Sequence, residues 1–134
     1  MDTFNKTLAR FEPQVLSIYR FIIGLLLFQF GVAKHLKFPP GTMFEKVEPF
    51  SLFGVAGMFE LVGGALIAIG FLTRPVAFLL SGEMAVAYFY AHAPRGFFPI
   101  LNGGEAAVLY CFVFLYLFFA GPGPWSVDAM MKRK

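Results

Sequence analysis

Charge and cysteine are scarce in this chain. Eleven basic and eight acidic residues make up 14% of 134, where water-soluble domains carry roughly a quarter. With so little charge a water-soluble enzyme is excluded as a class. The single cysteine, Cys111, allows neither an intramolecular disulfide nor a Cys-x-x-Cys pair to carry electrons. It lies in an apolar run, where a thiol behaves as a small inert hydrophobe. Only two histidines are present, His35 and His92, and they do not share a metal-binding spacing of i, i+3 or i+4. The net charge of +3 comes from basic residues scattered singly or gathered at Lys132, Arg133 and Lys134. That distribution argues against nucleic acid as a partner and for a tail anchored at a membrane surface.

What the chain has in quantity is apolar surface: 58% hydrophobic residues, 19 Phe and a mean hydropathy of +0.70. Lipid is therefore its main solvent, and a spanning helix needs about 20 apolar residues. Hydropathy and Pro/Gly punctuation predict a single domain of four such helices, at about residues 14–33, 51–72, 75–91 and 103–120. The first is closed by the Pro39, Pro40, Gly41 turn, which cannot continue a helix. The second and third are joined by so short a break at Thr73, Arg74 and Pro75 that they form a hairpin. Between the third and fourth, residues 93–101 are too broken by Pro to span and too apolar for water, so the segment is expected to dip into the interface. The expected fold class is all-α, an integral membrane bundle of four transmembrane helices with that short interfacial segment.

The stretch before the first apolar run contains Asp2, Lys6, Arg10 and Glu12 and has no small-residue cleavage site after it, so no secretory leader is expected. The N-terminus, the tight hairpin and the C-terminal tail hold Lys6, Arg10, Arg74, Lys132, Arg133 and Lys134. The other two loops hold Lys34, Lys37, Lys46 and Arg95. Six against four places both termini in the cytoplasm by the positive-inside rule.

The informative residues are ionisable groups inside these helices. Arg20 falls in the first, Glu60 in the second, Glu83 in the third and Glu105 at the start of the fourth. A lone charge at the bilayer centre costs about 2.5–3.5 kcal/mol even on the lenient insertion scale, so such groups face the bundle interior and find partners. Estimated depths, about 9 Å for Arg20, 12 Å for Glu83 and 18 Å for Glu60, predict one network of the three. One cation cannot neutralise two close carboxylates, so one of them is expected to hold a proton. Small residues accompany each charge: Gly24 and Gly31, then Gly57, Gly63 and Gly64, then Ala87 and Ala91. The bland alternative is a polar network that only glues the bundle together.

A second group gathers at the opposite mouth, with Lys34, His35, His92, Arg95, Asn102 and Glu105. Asn102 followed by Glu105 fits a capping box, in which Glu105 mainly satisfies backbone donors. His92 is a candidate for exchanging protons with outside water.

Taken in order, an Arg early in the first helix, GLLLFQFGVAK (24–34), AGMFELVGG (56–64), GFLTR (70–74), GEMAVAYF (82–89), NGGE (102–105) and GPGPWSVD (121–128) resemble the DoxX family. The resemblance covers about residues 14–128. It implies a small bacterial inner-membrane protein, of a kind often labelled as a subunit of quinol oxidase or of thiosulfate-to-quinone electron transfer. It also implies that Arg20, Glu60, Glu83, Asn102 and Glu105 occupy the recurrent polar positions.

Residues and resemblance together lead to one expectation: a subunit that binds a quinone, a quinol or another hydrophobic small molecule and works with an oxidoreductase partner. A quinone head needs hydrogen-bond donors and acceptors in an apolar pocket, which a proton-holding carboxyl beside an Arg supplies. Ligand-binding and proton-exchange candidates are Arg20, Glu60, Glu83, His92, Asn102 and Glu105. No cofactor is held by an evident motif, and association into homo-oligomers is left open. The alternatives are an assembly subunit without a ligand of its own and a small lipid-binding or transport protein.

Overall fold

The structure is a computed structural model and describes residues 1–44 and 46–132. Arg133 and Lys134 of the expected surface anchor lie outside the described residues. The described elements run α1 (Asp2–His35), α2 (Leu52–Ile69), α3 (Thr73–Ala87), α4 (Pro99–Asn102), α5 (Glu105–Ala120) and α6 (Val127–Lys132). A π-helical turn (Tyr88–His92) and a 3-10 turn (Ala93–Arg95) extend α3. All regular structure among the described residues is helical, as expected.

Three stretches are long and apolar enough to cross a membrane: Asp2–His35, Leu52–Ile69 and Thr73–Arg95. Helix α5 is also apolar but has 16 residues, about 24 Å at 1.5 Å per residue, below the roughly 30 Å of a hydrocarbon core. The expectation of four crossings is thus met at full length by three. Helix α1 also starts twelve residues before the expected position, at Asp2 rather than residue 14. Hydropathy reports solubility in lipid, not helicity, and residues 2–13 are too polar to register on it. Pro13 sits within the helix.

Capping chemistry sets the ends of α2. Ser51 is its N-cap, its hydroxyl accepting from the Gly54 N–H at 3.1 Å. At the other end Gly70 adopts a left-handed φ of 75°. Its N–H bonds to the Ile67 and Leu66 carbonyls and that of Phe71 returns to Leu66, a Schellman arrangement. The chain then reverses into α3 within three residues.

Helices α1 and α2 pack antiparallel with their backbones in contact. A Cβ built on Gly24 would lie 2.4 Å from the Ala68 nitrogen, and one on Gly31 2.5 Å from that of Leu61. One on Gly64 would meet the Phe28 nitrogen at 2.7 Å. These glycines recur at a spacing of seven on each helix, 24 and 31 against 57 and 64, so the two rows interlock like a zip. Lipid supplies no hydrophobic drive between helices, and close backbone approach with its dispersion contacts takes that place.

The expected stripes on α1 (Arg20, Gly24, Leu27, Gly31) and α2 (Gly57, Glu60, Gly63, Gly64) are buried. On α3 the buried stripe is instead Thr73, Ala77, Leu80, Ser81 and Met84, because α3 packs against α5. There the Ser81 hydroxyl donates to the Cys111 carbonyl at 2.7 Å. Leu27, Ile67, Ala77, Leu80, Met84, Phe114 and Leu117 fill the space between the two pairs.

Gly31→Ala and Gly64→Ala should each lower stability by about 1–3 kcal/mol or more, the cost of overpacking against backbone that cannot yield. Gly82→Ala, with open space around it, should be neutral to mildly stabilising. Unfolding of the purified protein in mixed micelles by denaturing detergent checks both.

Candidate functional site

The α2–α3 turn is the geometric origin of the site. Glu60 and Glu83 lie at nearly equal distances in sequence on either side of it, so an antiparallel hairpin brings them to one level, about 15 Å in from the turn. The structure places them as neighbours, with Lys34 as the nearby cation. Lys34 Nζ donates to Glu60 Oε1 at 2.9 Å in a pair whose two side chains are only 7% and 5% exposed. Lys34 also lies 5.1 Å over the centroid of the Phe44 ring. Both carboxyl oxygens of Glu83 are buried and have no hydrogen-bond partner. Glu60 is the neighbour it could bond to, and two carboxyls can bond only through a proton held between them. Tyr110 of α5 lies within the field of Glu60, edge-on to Phe30 and stacked with Phe114. The site is thus two carboxyls, one ammonium and a phenol within aromatic walls.

Arg20 is absent from it, which corrects the expected Arg20, Glu60, Glu83 network. Side chains on a helix lean toward its N-terminus. In the antiparallel pair, Lys34 leans inward from the loop end while Glu60 leans outward from the middle, so they meet. Arg20 leans away from both, toward the hairpin end. There it is buried and donates to the carbonyls of Pro122, Ala68 (3.2 Å) and Trp125 (3.0 Å). The Trp125 N–H returns to the Ser17 hydroxyl at 3.0 Å.

The segment around Arg20 closes the hairpin end. Helix α3 has Leu72 at its N-cap, which cannot cap, and the Asp128 carboxylate replaces it by accepting the N–H groups of Leu72 and Thr73 at 2.9 Å each. Asp128 also donates its own N–H to the Gly70 carbonyl at 2.9 Å. GPGPWSVD therefore ties α1, the α2–α3 turn and α5 together. Two open grooves lie at this end, one of about 610 Å³ bordered by Phe71, Arg74 and Met131 and one of about 220 Å³ beside Arg20 and Trp125. Neither is lined by Glu60 or Glu83.

At the loop end, His92 and Asn102 come together and Glu105 does not join them. His92 Nδ1 lies 3.2 Å from the Asn102 carbonyl. The buried Asn102 amide donates to the Tyr88 hydroxyl (3.1 Å) and the Gly96 carbonyl (2.9 Å) and accepts from the Gly104 N–H (2.8 Å). The expected capping box is not formed: Gly104, not Asn102, is the N-cap of α5, and Glu105 is its exposed first residue. Two consecutive glycines let the chain turn once more after Asn102, whose side chain caps that turn instead. His35, the other member of this mouth, lies with Nε2 2.6 Å from the Gly54 carbonyl.

Sequence reasoning missed Lys34 as the partner of Glu60, and with it Tyr110 and Asp128. The signal for Lys34 was present: Arg20, Gly24, Leu27, Gly31 and Lys34 follow one 4-3-4-3 stripe. Asp128 gave no comparable signal, because its partners are 55 and 56 residues away.

Comparison with known proteins finds related sequences along most of the chain. A sequence model described as DoxX matches residues 15–93. An uncharacterized protein of Haemophilus influenzae is 41% identical over 133 residues, covering 95% of this chain and 98% of its own length. An uncharacterized membrane protein of Mycobacterium tuberculosis is 26% identical, covering 94% of this chain and 86% of its own length. A second uncharacterized Haemophilus influenzae protein is 29% identical over 88% of this chain. No solved structure matches.

Lys34→Met should cost about 3–5 kcal/mol, since it strands a buried carboxylate, and adding Glu60→Gln should recover most of the loss. Asp128→Ala should cost about 0.5–2 kcal/mol, the usual range for a lost cap. Chemical unfolding of the four proteins in bicelles measures each difference.

Proposed function

Since the chain belongs to the DoxX family, we propose that it is a membrane subunit whose buried carboxyl pair takes the polar head of a hydrophobic small molecule, most plainly a quinone or quinol, and exchanges a proton with it. One observation carries this reading: Glu83 holds two buried oxygens with no hydrogen-bond partner beside the completed Lys34–Glu60 pair. An unsatisfied buried polar group costs about 1–3 kcal/mol, more if charged, and a ligand hydroxyl would satisfy it.

Each residue then has a distinct part. Glu83, as the carboxylate, accepts a hydrogen bond from a quinol hydroxyl and takes its proton, which Glu60 can then share. The Lys34 ammonium offsets the negative charge left on the ligand, and Tyr110 offers the ligand a hydroxyl. Oxidation of a quinol releases two electrons and two protons: the electrons pass to a redox group on an oxidoreductase partner, and the protons leave one after the other through Glu83. His92, beside Asn102 at the loop end, is the group through which the proton reaches outside water, with Glu105 exposed further out. Arg20 supports the site only by holding the hairpin end closed. The reading further takes α5 as a fourth crossing, both termini as cytoplasmic and the bacterial inner membrane as the location.

A purely structural subunit is the second reading, favoured by the bonding of Arg20 and Asp128 into the fold. Lipid extracted from the full-length protein in nanodiscs, analysed by mass spectrometry, should contain quinone enriched over the source membrane. Glu83→Gln should leave the unfolding midpoint nearly unchanged and reduce quinone retention about tenfold or more, the scale of one hydrogen bond to a charged group. Bulk phospholipid alone, or unchanged retention by the variant, would overturn the ligand reading. A variant that unfolds more easily but retains ligand in proportion to its folded fraction would establish the structural one.

A further inference from the structure

Both oxygens of Glu83 are buried and neither groove at the hairpin end reaches them, so a ligand enters only where part of the bundle gives way. The closures around the site differ in what must move. Helices α1 and α2 touch through backbone at Gly24, Gly31 and Gly64, and such a contact parts only if a whole helix shifts. Helices α2 and α3 are joined by their short turn, with Leu80 packed against Gly63. The Ser81 hydroxyl ties α3 to α5 at the Cys111 carbonyl. At the loop end Phe44 lies over Lys34, and its segment is fastened by the Lys37 ammonium, which donates to the carbonyls of Lys34 (2.7 Å), Phe44 (3.2 Å) and Val47 (2.6 Å).

Helices α1 and α5 meet through rings. Phe30 stands edge-on to Tyr110 with centroids 6.3 Å apart at 89°, and Tyr19 stands edge-on to Tyr116 at 6.2 Å nearer the hairpin end. Phe30 also meets Phe44 at 6.0 Å, and Tyr110 stacks with Phe114. The Phe30–Tyr110 pair lies at the depth of the carboxyls. The Ser81–Cys111 bond fixes the level of α5 on α3, and Glu83 and Tyr110 stand two residues and one residue from it in the same direction, about 3 Å and 1.5 Å. Phe30 and Tyr110 are half-buried, while Leu26 and Leu109 beside them are exposed, so the pair has lipid on one side and the carboxyl site on the other. Side-chain rotation moves a ring without moving a helix, and an edge-on pair adds little beyond its burial, so this seam gives way first.

We infer that Phe30 and Tyr110 form the entrance to the carboxyl site, opened by rotation of their rings between α1 and α5, and that the ligand reaches Glu83 from the bilayer and not from water. This deepens the proposed function and rests on the carboxyl pair being the binding site. It narrows the ligand class to molecules dissolved in lipid with a flat polar head. The head passes between two rings while an apolar tail stays among Leu26 and Leu109. Tyr110 is then both a wall of the entrance and the first hydroxyl that the head meets.

Carbodiimide labelling of the full chain in lipid nanodiscs, which leave both membrane faces open, tests the route. Carbodiimides add to a protonated carboxyl, and peptide mass spectrometry reads the modification at Glu83. Dicyclohexylcarbodiimide, which dissolves in lipid, should label Glu83 well ahead of the water-soluble ethyl-dimethylaminopropyl carbodiimide at the same concentration. Phe30→Ala should raise labelling by the lipid-soluble reagent severalfold at equal folded fraction, whereas Lys37→Met, which loosens the loop end, should leave it unchanged. In a Cys111→Ala background, Phe30→Cys and Tyr110→Cys joined by a short bis-methanethiosulfonate should label slowly, and a reductant should restore the rate. That comparison is made within one protein, so it stands even where Phe30→Ala folds poorly. Equal labelling by the two reagents, faster labelling in Lys37→Met alone, or no response to the bridge would overturn the inference. None of these measurements uses a quinone, so a site that retains no quinone and a site entered from water give different results.

Discussion

Gly24, Gly31 and Gly64 bring the backbones of α1 and α2 into direct contact, and Gly57 leaves room for the Lys34 side chain to lie across α2. In lipid this contact does the work that apolar burial does in water, and it also sets a register that cannot slide. A shift by one residue would drive a Cβ into backbone at several points at once. Since the register is fixed, Lys34 is held over Glu60 and Arg20, fourteen residues earlier on α1, is held at the level of Gly70. The chemistry of the interior and the closure of the hairpin end both follow from that alignment.

The two buried cations of α1, Arg20 and Lys34, show how a medium without water sorts polar groups. Each must find partners inside the protein, and each finds those that its helix direction lets it reach. Arg20, with five donors in a planar fork, bonds several carbonyls of a turn region where the backbone has left regular structure and its acceptors are free. Lys34, a compact ammonium, completes one ion pair and rests on an aromatic ring. Among the described residues the buried side-chain polar atoms without a partner are Arg20 Nε, Thr73 Oγ1 and both oxygens of Glu83, and of these Glu83 stands beside the completed Lys34–Glu60 pair.

The hairpin end shows a different economy. The α2–α3 turn is so tight that α3 begins with a left-handed Leu72 and no capping side chain. Asp128 supplies the missing acceptor from the far end of the chain, and Ser17 and Arg20 hold the same segment from α1. Residues 122–128 therefore complete the bundle.

Several features were legible in the residues alone, because they depend on composition and spacing. The lipid environment follows from apolar content, the α2–α3 hairpin from a break too short to allow anything else, and the buried faces of α1 and α2 from glycines at helical spacing beside a charge. The convergence of Glu60 and Glu83 was also within reach, since both stand equally far from one turn. The pairing of Lys34 with Glu60, the diversion of Arg20 to the 122–125 segment and the capping of α3 by Asp128 required the folded chain. The stripe puts Lys34 on the buried face of α1, but its choice of Glu60 depends on how the two helices are aligned, and the other two depend on segments about fifty residues or more apart, which local pattern does not encode.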